Sequence, residues 1–186
     1  MTHRLTPLPL AIQVLLFLIV APAAIFDWRD RCIPNWLTFS GLAAAFACNG
    51  FLFGLAGLVL ALKGLGIALL VYIPLYALRG MGGGDVKLMA AVGAAAGWAN
   101  WIGIFVLTAI FGGAAAIIAV ASRGRFGKTF RNVGAILMSL LHFEAPHRKS
   151  AALDVRREEG LRLPHAIPIA FGTIAFLLAA ALGFGR

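Results

Sequence analysis

The chain has 186 residues, of which 61% are hydrophobic and only 12% are charged, and its formal net charge is +9. Soluble globular proteins have about 25% charged residues, so this composition excludes that class and predicts a single integral membrane domain over residues 1–186. An excess of Lys and Arg is typical of the cytoplasmic loops of membrane proteins, and we therefore expect membrane lipids rather than nucleic acid as partners.

The first predicted helix covers residues 7–26, an apolar run of about the 20 residues that are needed to cross a bilayer. A polar turn follows, in which Pro34 stops helix propagation and Asn35 is a candidate cap for a second helix over residues 36–54. An alternative is that the small residues 21–24 mark a cleaved signal peptide. Cleavage there would leave an odd number of helices and place the most basic loop outside.

The apolar stretch over residues 55–78 contains a single charged residue, Lys63. It forms either one long tilted helix or a short surface piece over residues 55–63 followed by a shorter span over residues 64–78, and we favour the second interpretation. In both interpretations this part of the chain ends just before a cluster of glycines.

Four glycines within five positions, Gly80 and residues 82–84, mark a break, because glycine costs about 1 kcal/mol per helical position relative to alanine. A fourth helix is predicted to begin at Asp85 and to end near Trp98, which places Asp85 at or near a helix N-terminus. A fifth helix is predicted over residues 102–121. Asp85 is then either a helix cap, with the glycines as a linker, or a functional group.

A basic segment over residues 122–163 contains nine Lys and Arg residues, and a sixth helix is predicted over residues 164–183. We interpret the basic segment as a cytoplasmic loop, with residues 126–143 as a candidate amphipathic surface stretch. An N-terminus outside places 13 Lys and Arg residues on the inner side and three on the outer side, as the positive-inside rule predicts. The predicted fold class is an all-α polytopic membrane protein with about six transmembrane helices.

Two polar turns lie on the same cytoplasmic side in this topology, one after the first helix and one before the fourth. Asp27 and Asp30 in the first turn are therefore placed to meet Asp85, and ionisable residues at membrane borders are functional candidates by default. Two carboxylates about 4 Å apart repel by about 4 kcal/mol at an effective dielectric constant of about 20, which is enough to keep one of them protonated. Such a pair supplies an acid and a base together, as in aspartic proteases.

Both turns contain sequence motifs that resemble those of a known family. The segment Gly82-Gly83-Gly84-Asp85-Val86-Lys87-Leu88 resembles the GxGD motif of the type IV prepilin peptidases, and Asp27 stands six residues before Ile33-Pro34-Asn35, as in that family's first aspartate motif. The segment from Leu163 to Gly172 is also of family type. The short chain resembles the CpaA/TadV branch, which serves Flp and Tad pili.

The resemblance implies an intramembrane aspartic endopeptidase of the bacterial inner membrane, which cleaves the leader peptide of a prepilin or pseudopilin on the cytoplasmic side. Asp27 and Asp85 are then the catalytic pair. Asp30 is a local rival, and Asp27 is preferred because its spacing to Ile33 matches the family pattern. The residues assigned to the active-site and substrate loops are Gly82, Gly84, Lys87, Pro34 and Asn35. In the alternative structural interpretation, Lys87 anchors a lipid headgroup.

Larger members of that family have an N-terminal cytoplasmic region with CxxC pairs and also methylate the new N-terminus of the product. This chain has two cysteines 16 residues apart and no glycine-rich nucleotide loop outside the GxGD turn, so we expect no N-methyltransferase activity. Its cysteines and scattered histidines form no ligand cluster with workable spacing. We therefore expect no bound metal and no organic cofactor.

Two other functions are compatible with the composition. A small proton-coupled transporter would relay protons through Asp27 and Asp85, but it predicts acids within the spans and an internal repeat, and the sequence shows neither. A non-catalytic membrane component of a pilus or secretion machine would use the basic loop over residues 122–163 as its docking surface. The peptidase is preferred because both aspartate motifs are present and in the family's order.

Overall fold

The computed structural model describes residues 8–78, 81–122 and 164–182, and these residues form four helices. The helices are α1 (Leu10–Asp30), α2 (Asn35–Ala77), α3 (Gly83–Ala121) and α4 (Ala166–Ala181). The first three are long and apolar enough to cross a membrane, and α4 is a shorter apolar helix. The predicted all-α class is confirmed for this part of the chain.

Helix α2 is broken at Gly54, where the chain turns back on itself. Gly54 has φ 60° and ψ −142°, a conformation that only glycine adopts without strain. A Cβ added to Gly57 would collide with the backbone carbonyl of Asn49, although residues eight apart in a straight helix are separated by about 12 Å along the axis. The segments before and after Gly54 therefore pack against each other.

Helix α3 is broken in the same way at Gly97, which has φ 76° and ψ 165°. The indole Nε1 of Trp101 donates a hydrogen bond of 3.2 Å to the backbone carbonyl of Met89. Twelve residues of straight helix rise by about 18 Å, which is beyond the reach of an indole side chain. The segment after Gly97 therefore also folds back along the one before it.

Several predicted helix boundaries differ from those in the structure. The first helix does not end at Phe26 but continues to Asp30, so Asp27 lies within a helix and not in the polar turn. Asn35 is the first residue of α2 and does not cap it, since Pro34 occupies the N-cap position and no side-chain cap hydrogen bond forms. The helix is uninterrupted from residue 55 to Ala77, which contradicts the favoured division of this stretch at Lys63.

The later boundaries shift by a few residues. The predicted break between the fourth and fifth helices, at residues 99–101, lies instead at Gly97. The predicted last helix over residues 164–183 is observed as Ala166–Ala181. The basic loop over residues 122–163, including the candidate surface stretch, lies outside the described residues except for Ser122.

The closest helix crossing joins the second segment of α2 to the first segment of α3. A Cβ added to Gly64 would collide with the backbone carbonyl of Gly93, and a Cβ added to Gly93 would collide with that of Gly64. Every residue from Leu88 to Gly97 is buried, and most are alanine or glycine. Small residues allow helix backbones to approach closely, and this is the usual basis of helix packing in membranes.

Helix α4 packs against the second segment of α3 through a similar contact. A Cβ added to Gly172 would collide with Thr108 of α3, and the ring of Phe176 lies over Gly103. Many large apolar side chains instead face outward, such as Phe51, which is 91% exposed, and Leu55, which is 82% exposed. Extensive exposed apolar surface on hydrophobic helices is typical of a protein that is surrounded by lipid.

We predict that Gly64→Ala destabilises the protein and that Gly66→Ala does not. The Gly64 substitution forces a methyl group into a backbone contact and should cost about 1–3 kcal/mol, whereas nothing lies within 4 Å of a Cβ at Gly66. Alanine at residue 66 should leave stability unchanged or increase it by up to about 1 kcal/mol through helix propensity. Thermal unfolding of both variants in the same detergent is the measurement, and equal melting temperatures would contradict the crossing.

Candidate active site

Asp27 lies in the last turn of α1 and is only 8% exposed. A carboxylate near the C-terminal end of its own helix is disfavoured by the helix dipole, so it does not stabilise α1. Its Oδ2 atom instead accepts a hydrogen bond of 2.8 Å from the backbone N–H of Ala166, the first residue of α4. This N–H has no partner within its own helix, and it compensates the buried carboxyl group.

Asp85 is the third residue of α3 and is 7% exposed. Its Oδ2 atom accepts a hydrogen bond of 3.2 Å from the backbone N–H of Gly82, immediately before the helix. This is the contact that the third residue makes in a capping box. Asp85 is therefore not the N-cap residue itself, although it stabilises the start of the helix and its position in the first turn is favourable for a negative charge.

Three helix ends meet around these two carboxyl groups: the C-terminal end of α1 and the N-terminal ends of α3 and α4. The charge of Asp27 acts on Asp85, so the structure brings together the two acids that the sequence motifs singled out. Asp30, the rival of Asp27, lies one turn further along α1 and is exposed. Two helix N-termini directed at two buried acids favour negative charge there, while like-charge repulsion opposes ionisation of both.

His165 is an ionisable neighbour of the pair that the sequence analysis did not identify. It occupies the N-cap position of α4, directly before Ala166, and is half-buried. Its charge, when the imidazole is protonated, acts on Asp85. The sequence analysis considers the histidines only as metal ligands. The sequence feature that could have identified His165 is its position inside the family-type segment from Leu163 to Gly172.

The glycine turn packs against the loop that follows α1. A Cβ added to Gly84 would lie 3.2 Å from Cβ of Ile33, which is tighter than an ordinary contact, and a Cβ at Gly82 would lie 3.3 Å from Oδ2 of Asp85. A Cβ at Gly83 would lie 3.4 Å from the ring of Tyr76, an ordinary contact distance. None of the three glycines has a positive φ angle, so close approach, and not backbone conformation, distinguishes Gly84.

Lys87 connects the two motif segments. Its Nζ atom donates a hydrogen bond of 2.8 Å to Oδ1 of Asn35 and lies 5.6 Å from the centroid of the Phe39 ring. Asn35 therefore contacts α3 through its side chain, and Pro34, which precedes it, begins the turn into α2. Lys87 stands two residues after Asp85, so these contacts join the loop after α1 to the start of α3.

Within residues 8–78, 81–122 and 164–182, no group of three His, Cys, Asp or Glu side chains is placed to hold a metal ion. Asp27, Asp85, His165 and Lys87 together supply two carboxyl groups, one imidazole and one ammonium group at this site. A pair of interacting carboxyl groups can transfer protons in both directions during hydrolysis.

Comparison with known proteins identifies the family. Residues 13–117, more than half of the chain, match the model of the type IV leader peptidase family. The chain belongs to this family. The matched range contains Asp27, Asp85 and both motif segments, and it ends before the N-terminus of α4.

Two curated relatives come from Burkholderia pseudomallei, strains 1026b and K96243, and each is named prepilin leader peptidase/N-methyltransferase. Each is 34% identical to this chain over 100 residues, which is 53% of this chain and 28% of the relative. The similarity thus covers little more than a quarter of the length of these relatives. No solved structure matches the chain.

Proposed function

We propose that this protein is a prepilin leader peptidase that uses Asp27 and Asp85 as an aspartic catalytic pair. The observation that supports this most directly is the meeting of two buried carboxyl groups at three helix ends, in a member of the type IV leader peptidase family. The stability of α1 does not explain an acidic residue at position 27, because the charge of Asp27 is unfavourable at the C-terminal end of the helix dipole. A buried acid in such a position is a functional candidate.

In the proposed reaction, one of the two carboxyl groups is ionised and takes a proton from a water molecule, whose oxygen attacks the scissile peptide carbonyl carbon. The other carboxyl group donates its proton to the carbonyl oxygen, which gives a tetrahedral diol. The first carboxyl group then donates its proton to the peptide nitrogen while the second takes a proton from a hydroxyl group of the diol. The C–N bond breaks, the amine and the carboxylic acid leave, and the pair returns to its starting state. The two acids share one proton throughout, so the pair, and not either residue alone, is the titrating unit.

The proposed topology has six membrane spans within one peptidase domain over residues 1–186, with α2 and α3 each divided into two spans at Gly54 and Gly97. The reversal of the chain at both glycines supports this count. The distribution of 13 Lys and Arg residues against three supports an N-terminus outside and an active site on the cytoplasmic side of the inner membrane.

The proposed substrate is a prepilin or pseudopilin of the Flp type, and Lys87, Asn35 and Pro34 hold the loops beside which its extended segment binds. The support is the Lys87–Asn35 hydrogen bond, which joins the two motif segments two residues from Asp85. We also propose that the chain cleaves without methylating the product, because its two cysteines are 16 residues apart and form no CxxC pair. Mass spectrometry of the cleaved product shows directly whether it carries a methyl group.

We predict that Asp27→Asn and Asp85→Asn each abolish cleavage of a co-expressed prepilin, because an amide can neither take up nor release the catalytic proton. The amide oxygen of asparagine can still accept the hydrogen bonds from Ala166 and Gly82, so the fold should persist. The measurements are immunoblots of the prepilin and of the membrane-inserted enzyme. Asp30→Asn is the matched control and should cleave normally. Normal cleavage by either of the first two variants would refute the aspartic mechanism.

We predict that Gly84→Ala reduces the cleavage rate more than tenfold, which corresponds to a barrier increase above about 1.4 kcal/mol. The added methyl group would press against Ile33 and displace the start of α3 that holds Asp85. Gly83→Ala should be mild, since its methyl group reaches only ordinary contact with Tyr76, and Gly82→Ala should have an intermediate effect through the Asp85 carboxyl group. Equal, near-wild-type rates for all three variants at matched enzyme levels would show that the glycines are only a linker.

We predict that chelators leave peptidase activity unchanged, because the proposed mechanism activates water with a carboxylate and not with a metal ion. Purified enzyme is treated with EDTA and then with 1,10-phenanthroline, and prepilin cleavage is measured in each case. A loss of activity that added zinc restores would contradict the mechanism.

A further inference from the structure

Tyr72 lies in the second segment of α2, and its side chain is almost completely buried, with 3% exposed. Its ring packs edge-on against Trp101 and Phe105, with ring centroids 6.2 Å and 6.0 Å away and interplanar angles of 72° and 78°. Trp101 and Phe105 are stacked on each other. Two aromatic side chains of α3 thus hold the ring of Tyr72 in a defined orientation.

The pairing of α2 with α3 places Tyr72 at the level of Asp85. The two helical segments run antiparallel, since only residues 78–82 join them, and Gly64 contacts Gly93 while Tyr76 contacts Gly83. In an antiparallel pair, residues that lie equally far from a shared contact are level with each other. Tyr72 lies eight residues after Gly64 and Asp85 lies eight residues before Gly93, so the two are level. The charge of Asp85 acts on the Tyr72 hydroxyl group, as this pairing requires.

A hydroxyl group on a side chain as buried as this one is costly unless a polar group or a water molecule reaches it. Burying a hydroxyl group without a hydrogen bond costs about 1–3 kcal/mol in proteins, and phenylalanine would keep all of the ring contacts with Trp101 and Phe105. The ring packing therefore accounts for an aromatic residue at position 72, but it does not account for tyrosine. Asp85, at the start of α3, is level with this hydroxyl group and acts on it electrostatically.

We propose that Tyr72 is a third catalytic residue of this site, whose hydroxyl group holds the attacking water beside the carboxyl group of Asp85. This inference depends on the proposed aspartic peptidase function. A water molecule that is bound by two fixed groups is oriented toward the peptide carbonyl carbon, whereas one bound by a single carboxylate retains rotational freedom. The neutral phenol keeps its own proton throughout, so the proton balance between Asp27 and Asp85 is unchanged.

The test is Tyr72→Phe, which removes the hydroxyl group and keeps the aromatic packing. We expect kcat for prepilin cleavage to fall about 10- to 100-fold, equivalent to about 1.4–2.7 kcal/mol, while KM stays within about twofold and the melting temperature is unchanged. Replacing Tyr72 with 4-aminophenylalanine, which restores a hydrogen-bonding group at the same ring position, should recover part of kcat.

Tyr76→Phe makes the same chemical change at the other tyrosine of the chain, one turn further along α2 and exposed, and it should reduce kcat less than Tyr72→Phe does. A wild-type kcat for Tyr72→Phe would overturn the proposal, and so would a loss of kcat that accompanies a lower melting temperature without rescue by the amino derivative. Asp85→Asn in the same assay distinguishes a failure of the Tyr72 proposal from a failure of the aspartic mechanism. If Asp85→Asn is inactive and Tyr72→Phe is fully active, only the role of Tyr72 fails, whereas an active Asp85→Asn refutes the aspartic mechanism itself.

Discussion

The hydrogen bond from the Ala166 N–H to Asp27 is the contact on which the geometry of the site depends. Asp27 stands in the last turn of α1, where the dipole of that helix opposes a negative charge, and it is buried. The N-terminus of α4 supplies both a donor and a favourable dipole. The same contact brings His165 to the carboxyl pair, so that the last described helix completes a site whose two acids come from α1 and α3.

Glycine shapes the scaffold that holds these helix ends together. Gly54 and Gly97 reverse the chain within apolar helices, and Gly64 and Gly93 allow the backbones of α2 and α3 to touch. An apolar environment offers little hydrophobic drive for helix association, so close backbone packing supplies much of the stability. The start of α3, with Asp85, is therefore positioned by the packing of the buried residues that follow it in that helix.

The sequence analysis was most accurate where the signal was local or was a family motif. The apolar composition predicted helices, and the two motifs singled out Asp27 and Asp85, which the fold brings together. It was least accurate at boundaries, because the polar residues from Asp27 to Asp30 suggested a turn although their backbone continues α1.

The amino-acid sequence by itself determined the all-helical apolar class, the order of the elements and the identity of the two acids, because each depends on composition or on residues close together in the chain. Only the tertiary structure decided which groups surround those acids. The partner of Asp27 is 139 residues away in the sequence, and that of Lys87 is 52 residues away. Such contacts follow from how the helices pack and turn back, and no local spacing specifies them. For the same reason Tyr72 and His165 became neighbours of Asp85 only when α2 and α4 were placed against α3.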